Sequence, residues 1–273
     1  MTYKHILVHL DSSPHVEARL DAAIALAQRH GAFLRGLFAQ GDRNATSVIA
    51  RRSSDHLGDA AARSEALFKE KLAGSGLQGH WHGLTHGEYN HVIREVIIWS
   101  RFADLTVLGQ YDRDAGSQAA PEELNEQVVL NSGRPVLVIP YAGRFATIGH
   151  RVAVAWNAER EAARALSDAM PMLEKAKEVT VITVLTQASS AAPETPRVGV
   201  LDHLAFHGVT AEQTHFTVTD IGAMDALLAR AMDTGADLLV MGAHGHYGFP
   251  FLHRGSGTRH VLRTCPVPLL LSH

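Results

Sequence analysis

The chain contains itself twice, and this repeat limits the possible folds more than any other feature. Ala103-Asp104-Leu105-Thr106-Val107-Leu108-Gly109 matches Ala236-Asp237-Leu238-Leu239-Val240-Met241-Gly242 at a spacing of 133 residues. The same spacing aligns Pro135-Val136-Leu137-Val138-Ile139 with Pro268-Leu269-Leu270-Leu271-Ser272. Nearer the starts, Ile6-Leu7-Val8-His9-Leu10-Asp11 answers Val152-Ala153-Val154-Ala155-Trp156-Asn157 at 146 residues, so the second copy is shorter in its middle. A repeat of this kind must be recognised before any fold is assigned. It divides 273 residues into two domains long enough to bury their own cores, 1–143 and 149–273, joined through Tyr141–Gly149.

Each half alternates short β-rich runs with helical patterns. Strands are expected near 4–10, 33–39, 79–85, 104–109 and 135–140, and again near 150–156, 178–185, 213–218, 236–242 and 267–272. HVEARLDAAIALAQRHG shows the three- and four-residue apolar spacing of a helix, with Gly31 as its stop. VTVIT and DLLVMG are continuously apolar, as strands covered on both faces must be. Alternating β and α implies parallel sheets with right-handed crossovers. In such sheets ligands sit beyond the carboxyl ends of the strands, where the strand order reverses.

One segment stands at that place. MGAHGHYGFPFLHRGSGT, Met241 to Thr258, leaves a central strand with Gly242 and Gly245 and reaches a helix start near Gly255, with Ser256 and Thr258 at its cap and first turn. Glycines allow positive φ and close approach of main-chain N–H groups, and a helix start presents unpaired N–H donors that suit phosphate. From Met241 to His273 there is no Asp or Glu, while Arg254, Arg259 and Arg263 are present, so the local field favours an anion. The first copy is the control. It begins at Gly109, but Asp112 takes the place of Gly245, and Glu122 and Glu123 take those of Gly255 and Ser256. A polyphosphate there would meet repulsion.

Other chemistries are poorly served. The formal net charge of −3 shows no basic stripe for nucleic acid, and no apolar run is long enough to span a bilayer. With no h-region at the start and Cys265 as the single cysteine, a cytoplasmic location is expected. No Gly-x4-Gly-Lys-[Ser/Thr] exists, and the loop offers neither a carboxylate for Mg²⁺ nor a lysine for a γ-phosphate, which argues against fast phosphoryl transfer. His80 and His82 share one face of a strand with His86 following, but no Cys or carboxylate completes a metal site, and none is expected. Cys265, before an apolar strand, reads as a buried structural thiol, and Ser12, Ser13 and His15 as a strand-to-helix turn.

The spacing Gly242-x2-Gly245-x9-Gly255-Ser256 resembles the nucleotide-binding loop of the universal stress protein family (UspA-like), and the resemblance covers nearly the whole chain as two fused copies. It implies two tandem Rossmann-like α/β domains of the HUP, adenine nucleotide alpha hydrolase-like kind. Each would be a five-stranded parallel sheet of order 3-2-1-4-5 with helices on both faces. Members with this loop bind ATP, so the resemblance implies ATP as the ligand of the second domain, with or without Mg²⁺. Carried over, Met241, Gly242, Ala243, His244 and Gly245 border ribose and phosphates. Arg254, Gly255, Ser256, Gly257 and Thr258 cradle phosphate, Ala155, Trp156 and Asn157 lie by adenine and ribose, and Val184 offers backbone bonds to the base. The family commonly has Asp where Asn157 stands, and Trp156 is bulkier than usual.

These readings converge on a cytoplasmic tandem protein that binds one adenine nucleotide and acts as a stress-response regulatory module, with no catalytic residue assigned. Fifth strands of the family pair edge to edge, so RPVLVIP and VPLLLSH are expected to pair within the chain, and two tandem chains to form a homodimer. Two alternatives stand beside it: a slow ATPase or nucleotide hydrolase, and a nucleotide-free protein-interaction module.

Overall fold

The computed structural model describes residues 2–41, 55–113, 119–145, 147–186, 199–218, 222–245 and 256–273, and the chain divides into two compact units, Thr2–Ala146 and Thr147–His273. In the first unit β1 (His5–Leu10), β2 (Phe33–Phe38), β3 (Gly79–Gly83), β4 (Leu105–Gly109) and β5 (Val136–Ile139) alternate with α1 (Val16–His30), α2 (Asp55–Ala73), α3 (Tyr89–Ser100) and α4 (Leu124–Asn131). The second repeats the series with β6 (Arg151–Ala155), β7 (Glu178–Thr186), β8 (Glu212–Val218), β9 (Leu238–Gly242) and β10 (Leu269–Ser272). Its helices are α5 (Arg160–Leu173), α6 (Val200–Phe206), α7 (Ala223–Asp233) and α8 (Ser256–Thr264). The central strands fall on the apolar runs, while β3 and β8 are polar edge strands.

The strand order is β3-β2-β1-β4-β5 in the first unit and β8-β7-β6-β9-β10 in the second, every pair parallel. Counted within each unit, both read 3-2-1-4-5. Steps from the first strand to the third run one way across the sheet and the remaining steps run the other. Right-handed crossovers therefore put α1 and α2 on one face and α3 and α4 on the other. The contacts of α1 with α2 and of α3 with α4 agree with this. Ile6, Leu7, Val8, Leu105, Val107 and Leu137 are buried between the helical layers, as are Val152, Val154, Leu238, Val240 and Leu270 in the second unit. β8 alternates exposed and half-buried residues, as an edge strand with one wet face should.

The repeated Ala-Asp-Leu has a structural cause. Asp104 Oδ2 accepts the N–H groups of Lys4 and His5 at 2.8 and 3.0 Å. Its counterpart Asp237 accepts those of Gly149, His150 and Arg151 through Oδ1, at 2.9, 2.9 and 3.0 Å. Each carboxylate thus satisfies the start of its unit's first strand, at the amino end of the sheet. Gly31 ends α1 at φ 63°, where its N–H reaches back to carbonyls of the last turn.

Candidate functional site

In the second unit the order reverses between β6 and β9, and the two strand ends face the start of α5. Gly242 closes β9 under strict steric demand. A Cβ there would press on the carbonyl carbon of Glu161 and stand 2.5 Å from Ala162 N and 2.7 Å from Glu161 O. Ala243, fully buried, donates its N–H to Ser272 O at 2.8 Å. His244 then turns the chain at φ 57°, a region that few residues with a side chain adopt. Its N–H donates to Thr258 Oγ1 at 2.8 Å, and its buried ring stands edge-on to His273, centroids 6.1 Å apart. Gly245 is exposed, and among the described residues the nearest atoms to a Cβ there are Glu161 Oε2 at 3.7 Å and Asn157 Nδ2 at 4.0 Å.

The Thr258 bond ties the start of α8 to this turn. That first turn contains no acid, and Ser256 Oγ is buried without a hydrogen-bond partner among the described residues. Gly257 packs on α7, with 3.3 Å between a Cβ there and Met224 Sδ. Arg254 and Gly255, together with His246, lie outside the described residues. Met241 is buried within β9 opposite Leu271 of β10.

At the end of β6, Trp156 donates its N–H to Ile182 O at 2.8 Å. Asn157 closes the strand-to-helix turn by accepting the Glu159 N–H at Oδ1, 3.1 Å, with Ala158 left-handed at φ 62°. Asp11 closes the matching turn of the first unit the same way, accepting the Ser13 N–H at 3.0 Å. The Asp-to-Asn exchange therefore keeps the turn and removes the charge. Ala155, Trp156 and Asn157 are thus at the same sheet end as Gly242 to Gly245, and Asn157 comes next to the loop. Val184 lies on β7 two residues beyond Ile182, one strand further out and paired with Phe216.

Sequence reasoning missed one residue. Glu161, in the first turn of α5, is 4% exposed, and its Oε1 accepts from Arg160 Nη2 at 2.8 Å and Nε at 3.3 Å. The segment Met241–His273 is free of acid, yet the fold brings this carboxylate from a distant helix to Gly245. Burial alone would raise its pKa. Its own backbone N–H, the Arg160 guanidinium and His273 outweigh that and hold the pKa below the ordinary range, so the group is a carboxylate. The available signal was the acid in the first turn of the helix that follows β6.

The first unit resolves the same place with its own side chains. At the spacings that define the repeat, His15 stands where Glu161 does and Asp112 where Gly245 does. These two bond each other, His15 Nε2 to Asp112 Oδ2 at 3.0 Å. Behind them Asp11 accepts from Arg19 Nη2 at 2.7 Å, both side chains buried, and the guanidinium lies against Gly109 where any side chain would collide. Burial would raise the Asp11 pKa, but Arg19, His9 and the Ser13 N–H bring it down to about 2. His9, buried with Nε2 2.6 Å from Ala39 O, has its pKa lowered to about 4, chiefly by burial. Asn125 of α4 donates to Gly109 O at 2.9 Å, at the position Thr258 holds in α8.

The three candidate metal histidines disperse. His82 stacks on Trp99 at 4.6 Å and His86 on His91 at 3.8 Å, while His80 is exposed. Among the described residues no three His, Cys, Asp or Glu form a metal-holding group. Cys265 is buried, donates to Val267 O at 3.2 Å and has its pKa pushed up to about 11 by burial. No helix among the described residues is long and apolar enough to cross a membrane.

Comparison with known proteins supports this architecture. The chain is similar over 98% of its length to 97% of a universal stress protein from Archaeoglobus fulgidus, at 19% identity and a TM-score of 0.73. It is also similar over 99% of its length to 92% of a functionally unknown protein from Pseudomonas aeruginosa, at 18% identity and a TM-score of 0.62. At these identities the likeness shows the fold alone. No curated protein matches the chain. The model of the universal stress protein family matches twice, over residues 2–140 and 149–273. The chain therefore belongs to the universal stress protein family, as a tandem of two copies.

Proposed function

We propose that the protein binds one adenine nucleotide, ATP with or without Mg²⁺, in its second domain and serves as a stress-response regulatory module. The observation that carries this reading is the exposed position at Gly245, beside an acid-free helix start whose Ser256 Oγ has no partner among the described residues. Helix starts of this kind bind phosphate through free N–H groups and hydroxyls. Gly242, Ala243, His244 and Gly245 would border ribose and phosphate. Ser256, Gly257 and Thr258 would face the phosphates together with Arg254 and Gly255. Ala155, Trp156, Asn157 and Val184 would surround the base and ribose, and Met241 would adjoin the Gly242–Gly245 turn. The first domain, with Asp112 in the equivalent place, would bind none. A homodimer of tandem chains in the cytoplasm belongs to the same reading and rests on the family resemblance.

Calorimetric titration of ATP and AMP-PNP into the chain, and into a Gly245→Asp, Gly255→Glu variant, tests the proposal. One nucleotide per chain, lost in the variant, is the expected result; no binding to the unaltered chain would end this reading in favour of an interaction module. A slow hydrolase is the second reading, favoured by the carboxylate of Glu161 beside Gly245. Release of phosphate from bound ATP, abolished in Glu161→Gln, would establish it.

A further inference from the structure

Glu161 carries an inference that rests on the nucleotide reading and deepens it. Its side chain is nine-tenths buried at the mouth of the crevice. One oxygen, Oε1, is held by Arg160 at 2.8 Å, and Arg160 itself is largely exposed, its side chain 76% accessible, so water screens its charge. The other oxygen, Oε2, receives no hydrogen bond from another described residue and stands 3.7 Å from the space that Gly245 leaves by having no side chain. A ligand phosphate entering beside Gly245 and α8 would meet this fixed negative charge.

The first domain fills the same place with a hydrogen-bonded pair of its own side chains. There the loop position holds Asp112 and the helix position holds His15, and the two bond at 3.0 Å. In the second domain the acid has moved to the helix, as Glu161, and the loop position is Gly245, which supplies no base. Among the described residues beyond its chain neighbours, no basic side chain comes within 4 Å of the space beside Gly245, and a cation carried by the ligand would balance the Glu161 charge there. Hard divalent cations take oxygen ligands, and Mg²⁺ is commonly held by one or two carboxylates together with substrate phosphates.

We propose that Glu161 makes polyphosphate binding in the second domain conditional on a divalent cation. The carboxylate repels metal-free phosphate and favours the same phosphate when it carries Mg²⁺, so one side chain sets which form of the nucleotide is accepted. Neutral adenosine lies outside this rule.

The test is binding of AMP-PNP to the full chain, in excess Mg²⁺ and in EDTA, compared between the unaltered protein and Glu161→Gln. In the unaltered protein Mg²⁺ should tighten binding about tenfold or more, given the strength of close charge pairs at a protein surface. In Glu161→Gln the metal-free affinity should rise and the Mg²⁺ effect should shrink to about threefold or less, since the amide neither repels phosphate nor neutralises a cation. Glu161→Ala carries the same expectation if the glutamine variant fails to fold, and adenosine affinity should be unaffected by EDTA. An equal Mg²⁺ dependence in the unaltered protein and the variants would overturn the role of Glu161 and leave the nucleotide reading standing. Failure of AMP-PNP and adenosine alike to bind the unaltered chain would overturn both.

Discussion

Two glycines three residues apart do different work. Gly242 is fixed by backbone, since Ala162 N and Glu161 O lie within 2.7 Å of any Cβ and cannot step aside as a flexible side chain does. Gly242→Ala should therefore lower stability by about 2 kcal/mol or more, the range of overpacked cores, measured by urea denaturation. At Gly245 no atom of the described residues lies closer than 3.7 Å to a Cβ, so Gly245→Ala should leave the urea midpoint nearly unchanged while weakening nucleotide binding. The buried His9 gives a pH signature. In the unfolded chain it takes a proton near pH 6.5, in the folded chain only near pH 4, so between these values the unfolded state binds more protons. Its contribution is intact above pH 6.5 and is lost as pH falls toward 4, by ~3 kcal/mol in total. Denaturant midpoints at pH 7 and pH 4.5 should show that fall in the parent and a smaller one in His9→Gln. Asp11, with its pKa lowered from 3.8 to about 2, loses its contribution only below that window.

Among the elements, the joint between β9 and α8 decides whether the helix start stays in the crevice. Thr258, 5% exposed, is the acceptor for the His244 N–H, and Thr258→Val keeps the shape while removing that oxygen. The expected cost is about 1–2 kcal/mol of stability, with weaker nucleotide binding as the helix start loosens, read from thermal melts and titration on the same sample. Most elements were legible in the sequence: apolar runs and β-branched residues marked the central strands such as β4, β6 and β9, and Gly31 marked the end of α1. The role of Asp104 and Asp237 was not, because pairing an acid with the start of a strand remote in sequence is a matter of topology. Glu161 escaped for the same reason. Nothing between Met241 and His273 announces it, and only the packing of α5 against the end of β9, enforced at Gly242, brings it to the loop.

Across the whole molecule the duplication supplies its own comparison. The repeat follows from residues that can be aligned by eye, and the strand order and the placement of Asn157 near the glycine loop from the family resemblance that the glycine spacing carries. The pairing of His15 with Asp112 does not, since it joins a helix to a loop across the crevice. That pair gives the chain an unequal response to its proposed ligand. A ligand stabilises the domain that binds it in proportion to the logarithm of its concentration, by about 2.7 kcal/mol at a hundred times Kd. The first domain carries its anion covalently, as Asp112, at a concentration that never varies. Amide exchange should therefore slow with added nucleotide in β6, β9 and α8 and stay constant in β1, β4 and α4, which mass spectrometry of peptides from each half would resolve. One half of the chain would then act as a gauge of nucleotide level, and the other as the fixed reference against which the gauge is read.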